Sequence, residues 1–401
     1  MSLREAMPQR VRHAIGHIRT AIVGLALSGQ LIAHTAIARD NTVGAVPTKQ
    51  QAPIALLVDI SSGQVLHARN ADRRFIPASM TKTMTAFVAF ELIEDGKLSP
   101  TRAIAVDPKT AEEWSGKGST MWLEADRPIA VSDMLTGIMT VSANDASIAL
   151  AQGVSGSVPA WTELMNKNAR MLGMTDSHFG TPNGWPDDGR TFTTARDLAT
   201  LAEALIKRHP VQFARYIGQP TFSWNEREQI NRDPLLGRIE GADGIKTGFT
   251  NEAGHSFLGT AKQGEQRLVI VLAGTRSEAA RAQLARDYIA WGFSEFDRER
   301  LIAKNVCVGT ARVQGGTARE VNLITDREIL VNVPRGRRAE MQVSIRYDGP
   351  VRAPFKAGEE VATLEVMVPG MEPARVPLLA GETVEKAGLF SRIWNGIAGW
   401  F

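Results

Sequence analysis

A serine and a lysine stand three residues apart, Ser79 and Lys82, in the stretch Ile76-Pro77-Ala78-Ser79-Met80-Thr81-Lys82. At positions i and i+3 of a helix two side chains share a face and can touch. Pro77 cannot continue a helix from upstream but suits a helix start, which places Ser79 at or near the first turn. A serine hydroxyl becomes a nucleophile only beside a base, and a lysine kept neutral by burial is such a base. A helix N-terminus would favour the negative charge that develops. Taken alone, the pair reads equally well as a helix cap beside a solvated lysine. Two later motifs bear on the choice. Ser142-Ala143-Asn144 falls in a short break before a helix beginning near Asp145, where Ser and Asn are ordinary capping residues. Lys246-Thr247-Gly248, preceded by Asp243-Gly244-Ile245, reads alone as a charged turn leading into a strand.

The elements that must position these residues are legible in the patterning. Pro53–Ile60 and Gln64–Arg69 read as paired strands around the turn Ser61-Ser62-Gly63. The helix from Ser79 passes through Met84, Phe87, Val88 and Leu92 and stops near Gly96. It is apolar around much of its circumference, which predicts a buried helix. Helical periodicity runs from Val131 to Gln152, from Trp161 to Leu172 and from Thr194 to Lys207. His255–Thr260 and Arg267–Ala273 form a hairpin around Gln263-Gly264-Glu265-Gln266, and Ser277–Ala290 reads as a helix. Strands at both ends with helices between predict an α/β (α+β) domain whose antiparallel sheet is closed by the two ends. Beyond Trp291-Gly292-Phe293, from about Arg298 to Pro377, short β-rich segments with Gly and Pro turns predict a small β-sandwich.

Composition and termini bound the rest. The 401 residues allow one large domain and a smaller one. A net charge of +3 without a long basic stripe argues against nucleic acid. The single cysteine, Cys307, excludes an intrachain disulfide framework, and seven histidines without ligand spacing predict no metal and no cofactor. Arg4, Arg10, Arg12 and Arg19 precede an apolar run from Ala21 to about Ala33, followed by Ala36-Ile37-Ala38. This is the layout of a secretory signal peptide, residues 1–38, with cleavage after Ala38. The run falls short of the ~20 residues that span a bilayer. Residues 39–51 read as a polar leader. In 381–401, Leu389, Phe390, Ile393, Trp394, Ile397, Trp400 and Phe401 gather on one side at helical spacing, which predicts an amphipathic helix lying in a membrane surface.

The order Ser-x-x-Lys, Ser-x-Asn, Lys-Thr-Gly resembles the signature of penicillin-binding proteins and serine β-lactamases. Pro77–Lys82, Asp243–Gly248, Asn166 with Leu172-Gly173-Met174, Phe179, Pro182-Asn183-Gly184, Trp291-Gly292-Phe293 and Pro334-Arg335-Gly336 are similar to the low-molecular-mass D-alanyl-D-alanine carboxypeptidases, the group that includes penicillin-binding protein 5. The resemblance covers nearly the whole chain after the leader. It implies a transpeptidase-like catalytic domain over 52–296, a small β domain over 297–380 and the anchoring helix. It also implies an exported enzyme in the periplasm, held peripherally on the outer face of the inner membrane. Its substrate would be peptidoglycan stem peptide ending in D-Ala–D-Ala, and β-lactam antibiotics would bind covalently. In this reading Ser79 attacks the peptide carbonyl and Lys82 takes its proton, with Lys246 as the cation that keeps Lys82 partly neutral. Ser142 relays a proton to the leaving amine and Asn144 bonds Lys82 or the substrate amide. Lys246 and Thr247 bind the terminal carboxylate, Gly248 lets substrate approach the strand edge, and the N–H groups of Ser79 and Phe249 form the oxyanion hole. Arg281 and, across a one-residue gap, Arg232 match positions that support carboxylate recognition.

The sequence also departs from that pattern. Phe249 stands where penicillin-binding protein 5 has histidine, Trp185 where leucine is more usual, and Thr191-Phe192-Thr193 replaces His-Tyr-Ser. A β-lactamase needs a glutamate that activates deacylating water. Glu163-Leu164-Met165-Asn166 resembles that element but is one residue short. A D,D-endopeptidase on the same scaffold is not separated by the motifs. A silent wall-binding protein would have no need of Ser79, Lys82, Ser142 and Lys246 together.

Overall fold

The structure is a computed structural model that describes residues 46–47 and 52–388. The expected signal peptide, most of the leader and residues 389–401 of the expected terminal helix lie outside them. The chain divides into two compact units, one spanning Ala45–Glu295 and one beginning at Phe296.

The first unit opens with strands β1 (Ile54–Asp59) and β2 (Gln64–Arg69), followed by helix α1 (Lys82–Glu94). A two-residue ladder, β3 (Ala103–Ile104) with β4 (Ile129–Ala130), encloses the short helix α2 (Pro108–Trp114). Helices α3 (Val131–Thr140), α4 (Asn144–Ser155), α5 (Val158–Met171), α6 (Ala195–Arg208) and α7 (Pro210–Tyr216) follow. The hairpin β5 (Thr221–Trp224) and β6 (Arg227–Ile230) precedes strands β7 (Ala242–Thr250), β8 (Gly254–Gln263) and β9 (Gln266–Thr275), then helix α8 (Glu278–Ser294). The five-stranded sheet runs β2-β1-β9-β8-β7 with antiparallel pairing throughout. β1 pairs with β9, so the two ends of the domain do close the sheet.

Helix α1 explains the all-round apolar pattern. Every residue from Lys82 to Phe90 is buried, and Met84, Phe87 and Phe90 belong to one core with Ile138, Leu150, Trp161 and Leu201. Each such side chain contributes about 1.5–3 kcal/mol on burial. Helices α5, α6 and α8 begin on Ser157, Thr194 and Ser277, whose hydroxyls accept the N–H of Ala160, Asp197 and Ala280. The helical periodicity from Val131 to Gln152 is interrupted at the expected break, where Ser142 takes the left-handed conformation (φ +66°) between two helices.

The second unit is β-rich, as expected. Its six-stranded sheet and a separate two-stranded ladder share one apolar core that includes Ile302, Leu323, Val331, Leu364 and Leu378. The expected start of the terminal helix is corrected here. Residues 381–388 are not helical: Val384 and Lys386 form antiparallel bridges with Phe355 and Gly316. Val384 is buried, so this segment is tied into the β unit through its backbone. No helix among the described residues is long and apolar enough to cross a membrane.

Candidate active site

Ser79 does not lie on an α-helix. Ala78–Thr81 form one 3₁₀ turn, closed by Met80 N–H donating to Pro77 O at 3.1 Å, and α1 starts at Lys82. A 3₁₀ turn has three residues per turn, so i and i+3 superpose more closely than in an α-helix. Lys82 Nζ and Ser79 Oγ are accordingly 3.0 Å apart. Lys82 is fully buried, and its Nζ donates to Asn144 Oδ1 and to the Asn183 carbonyl, each at 2.7 Å. Both are acceptors only. A neutral amine has two N–H donors and one lone pair, so the two carbonyls take the donors and the lone pair is left for the Ser79 hydroxyl. Burial pulls the Lys82 amine well below its ordinary range, the Lys246 charge lowers it further, and Asp145 opposes both.

Asp145 and Asn183 have parts the motifs did not foretell. Asp145 is buried and accepts the N–H groups of Met121, Leu123 and Ala146, which ties the segment after α2 to the start of α4. Asn183 acts through its main-chain carbonyl, which every residue possesses. Pro182-Asn183-Gly184 entered only as part of the family resemblance, and the physical signal lies in the neighbouring Gly184. It has φ +72°, and a Cβ there would lie 1.8 Å from the Ala78 carbonyl oxygen, so only glycine lets this loop reach the nucleophile turn.

Strand β7 forms the opposite wall of a cleft of about 600 Å³ that gathers Ser79, Ser142, Asn144, Lys246, Thr247, Gly248, Phe249, Arg232 and Arg281. These residues span 203 sequence positions, from 79 to 281. Lys246 is buried, and its Nζ donates to the Thr247 carbonyl at 3.2 Å. Burial, followed by the charges of Arg232 and Arg281, lowers its amine to about 7, while Asp233 acts in the other direction. Asp233 is itself raised to about 6, burial outweighing the N–H bonds from Leu235 and Leu236. Arg281 is buried on α8, pairs with Glu278 at 3.0 Å and donates weakly to the Arg232 carbonyl at 3.5 Å. Arg232 is exposed on the cleft rim.

Gly248 lines the cleft, and its missing Cβ faces the turn that carries Ser79: a Cβ would lie 2.6 Å from the Pro77 carbonyl oxygen and 3.2 Å from Met80 Cγ. Gly248 therefore lets β7 pack against the turn that carries Ser79. Phe249 is half exposed and stacks on His255, ring centroids 4.3 Å apart, so the cleft rim there is aromatic. Glu163 is exposed on α5 and lines a different groove with Lys167, Arg170 and His178. Among the described residues no cluster of three or more His, Cys, Asp or Glu is placed to hold a metal.

Residues 41–277 match the D-alanyl-D-alanine carboxypeptidase family, and residues 296–386 match the penicillin-binding protein 5 C-terminal domain. The chain is 35% identical to the D-alanyl-D-alanine carboxypeptidase DacC of Escherichia coli (strain K12), covering 91% of this chain and 92% of that protein. It is 30% identical to DacA of Haemophilus influenzae, over 94% and 96% of the two chains. Among solved structures, penicillin binding protein 5 from Haemophilus influenzae superposes with a TM-score of 0.74 at 28% identity, over 86% of this chain and all of that one. Penicillin-binding protein D2 from Listeria monocytogenes, in its ampicillin-bound form, gives a TM-score of 0.56 at 29% identity over 62% of this chain and all of that one.

Proposed function

The chain belongs to the D-alanyl-D-alanine carboxypeptidase family, and we propose that it removes the terminal D-alanine of peptidoglycan stem peptides through an acyl-enzyme on Ser79. The observation that carries this reading is a serine hydroxyl against a fully buried lysine amine, in one cleft with a second, cation-flanked lysine. Lys82 accepts the Ser79 proton as Oγ attacks the penultimate D-alanine carbonyl. The N–H groups of Ser79 and Phe249 take the charge that develops on the carbonyl oxygen. As the C–N bond breaks, the proton passes from Lys82 by way of Ser142 to the leaving D-alanine amine. Asn144 holds the base, and water then hydrolyses the ester. Lys246, Thr247 and Arg281 bind the terminal carboxylate, with Arg232 at the rim; charge-assisted bonds of this kind are the strong ones.

A β-lactam presents the same carboxylate and a strained amide, so it acylates Ser79 covalently. The test is labelling with a fluorescent penicillin. The wild-type chain takes the label and Ser79→Ala does not; a labelled Ser79→Ala protein overturns the assignment. Incubation with a muropeptide ending in D-Ala–D-Ala releases free D-alanine, whereas cleavage of cross-linked dimers alone would assign an endopeptidase.

We further propose that residues 1–38 are a signal peptide, and that the enzyme works in the periplasm on the outer face of the inner membrane, attached by the aromatic segment after Gly388. The arginines before an apolar run and the spacing of Trp394, Ile397, Trp400 and Phe401 support this. Deleting residues 389–401 then releases the protein from membranes; undiminished membrane association rejects the anchor.

A further inference from the structure

Lys117 stands between two indole rings. Its Nζ lies 4.4 Å from the Trp114 ring centroid and 5.3 Å from that of Trp185, and the two rings meet edge to face at 5.5 Å. Glu113 pairs with the same ammonium at 3.3 Å. Trp114 is buried at the end of α2, and Trp185 is half-buried on the cleft wall. A partly desolvated cation against aromatic faces contributes about 0.5–2 kcal/mol.

This cluster holds backbone and amide groups that lead to the base. The Lys117 carbonyl accepts from Asn144 Nδ2 at 2.9 Å, and the Ser119 carbonyl accepts from the Asn144 N–H at 2.8 Å. The other end of that amide, Asn144 Oδ1, is an acceptor for Lys82. On the far side the Trp185 main-chain N–H donates to Asn183 Oδ1 at 3.0 Å, and the Asn183 main-chain carbonyl is the second acceptor for Lys82. The residues whose carbonyls hold Lys82 are thus each bonded to the main chain of a residue whose side chain belongs to the Trp–Lys–Trp cluster. The packing is close, since a Cβ at Gly118 would lie 2.9 Å from Asn144 Nδ2 and 3.2 Å from the Trp185 ring.

We propose that Trp114, Lys117 and Trp185 form a positioning unit for Lys82, fixing the Asn144 and Asn183 carbonyls on its amine and keeping water from it. This rests on the reading of Lys82 as the base that activates Ser79. With the cluster broken, the Asn144 amide can rotate and the amine hydrates. Hydration favours the ammonium, so a smaller fraction of Lys82 is neutral at a given pH. The carboxylate end is built on other elements, Lys246 on β7 and Arg281 on α8.

The experiment uses the full chain with Lys117→Met, Trp185→Leu and Trp185→Phe, each checked for folding by thermal melting. The rate constant for acylation by a fluorescent penicillin is measured across pH, together with KM for a D-Ala–D-Ala peptide. Lys117→Met and Trp185→Leu slow acylation about tenfold, as expected for a displaced base. The acid limb of their profile moves to higher pH, KM changes by no more than about twofold, and Trp185→Phe, which keeps a ring, recovers most of the rate. Folded variants that acylate at the wild-type rate overturn the proposal. So does a slowed variant whose acid limb has not moved, because a merely structural lesion lowers the active fraction without moving it. If Lys117→Met does not fold, the Trp185 pair on the cleft wall decides by the same criteria. A wild-type chain that takes no label rejects the reading of Ser79 instead.

Discussion

Two lysines are buried in one cleft, and what faces each of them sets its work. Lys82 meets a hydroxyl and two carbonyl oxygens, all neutral. Lys246 is flanked by the guanidinium groups of Arg232 and Arg281, and Asp233 offsets only part of that charge. Burial lowers both amines, but only Lys82 has a partner that can give it a proton. At Lys246 the concentrated positive charge lacks an anion of matching strength, which suits it to a substrate carboxylate. In the proposed function the same residue type thus serves as a base at one end and as an anion receptor at the other, because fold-determined neighbours, not intrinsic chemistry, decide the protonation state.

Exchanging the neighbours or the lysines tests that contrast. The largest effect is expected from Lys82→Gln, which retains two N–H donors but removes the basic lone pair and cuts Ser79 acylation by about 10³-fold. Penicillin labelling kinetics check this, and a variant within tenfold of wild type would put the base elsewhere. Lys246→Gln is expected to raise KM for a D-Ala–D-Ala peptide by about 10–100-fold, the worth of one charge-assisted bond. A depsipeptide ester amidated at its C-terminus should feel far less of the loss. Equal losses on both substrates would mean that Lys246 does not read the carboxylate.

The pH dependence separates the two lysines by sign. On the acid side kcat/KM falls as Lys82 takes a proton and can no longer accept one from Ser79. On the alkaline side KM for the free carboxylate rises above about pH 7, as Lys246 loses its charge. Lys246→Arg stays charged and should flatten that alkaline limb alone.

The smallest effect is on stability. The Lys246 pKa is lower in the folded chain, about 7, than the 10.5 of the free side chain. Unfolding therefore binds a proton between those values, and wild-type stability rises with pH across that window and is penalised below it. Lys246→Met removes the penalty and is expected to stabilise the protein at pH 6 by on the order of 1–3 kcal/mol. Thermal melts at pH 6 and pH 9 check it; a variant no more stable than wild type at pH 6 would mean that the site tolerates the charge.

Much of this site was legible because its chemistry sits in short contiguous motifs. Ser79 and Lys82 depend on one turn, so their contact follows from spacing, although the turn is 3₁₀ and not α. The closing of the sheet followed from apolar runs at both ends of the domain. The all-round apolar face of α1 foretold burial because no polar stripe was left to face water. The terminal helix was placed too early, since the pattern of Leu389 to Phe401 says nothing about whether residues 381–388 pair with a sheet.

By itself, then, the sequence determined the order of the motifs and, through apolar period, the type of each domain; it offered Ser79 and Lys82 as nucleophile and base only through the resemblance that the ordered motifs carry. Only the tertiary structure decided that Asn183 holds Lys82 through a main-chain carbonyl, since a carbonyl belongs to every residue and leaves no mark in the sequence. It also decided that Gly248 serves the packing of β7 on the Ser79 turn. The protonation of the two lysines belongs there as well. It arises from desolvation and from charges brought together by the fold, Asp145 and Lys246 standing 63 and 164 positions from Lys82, distances over which sequence spacing carries no information.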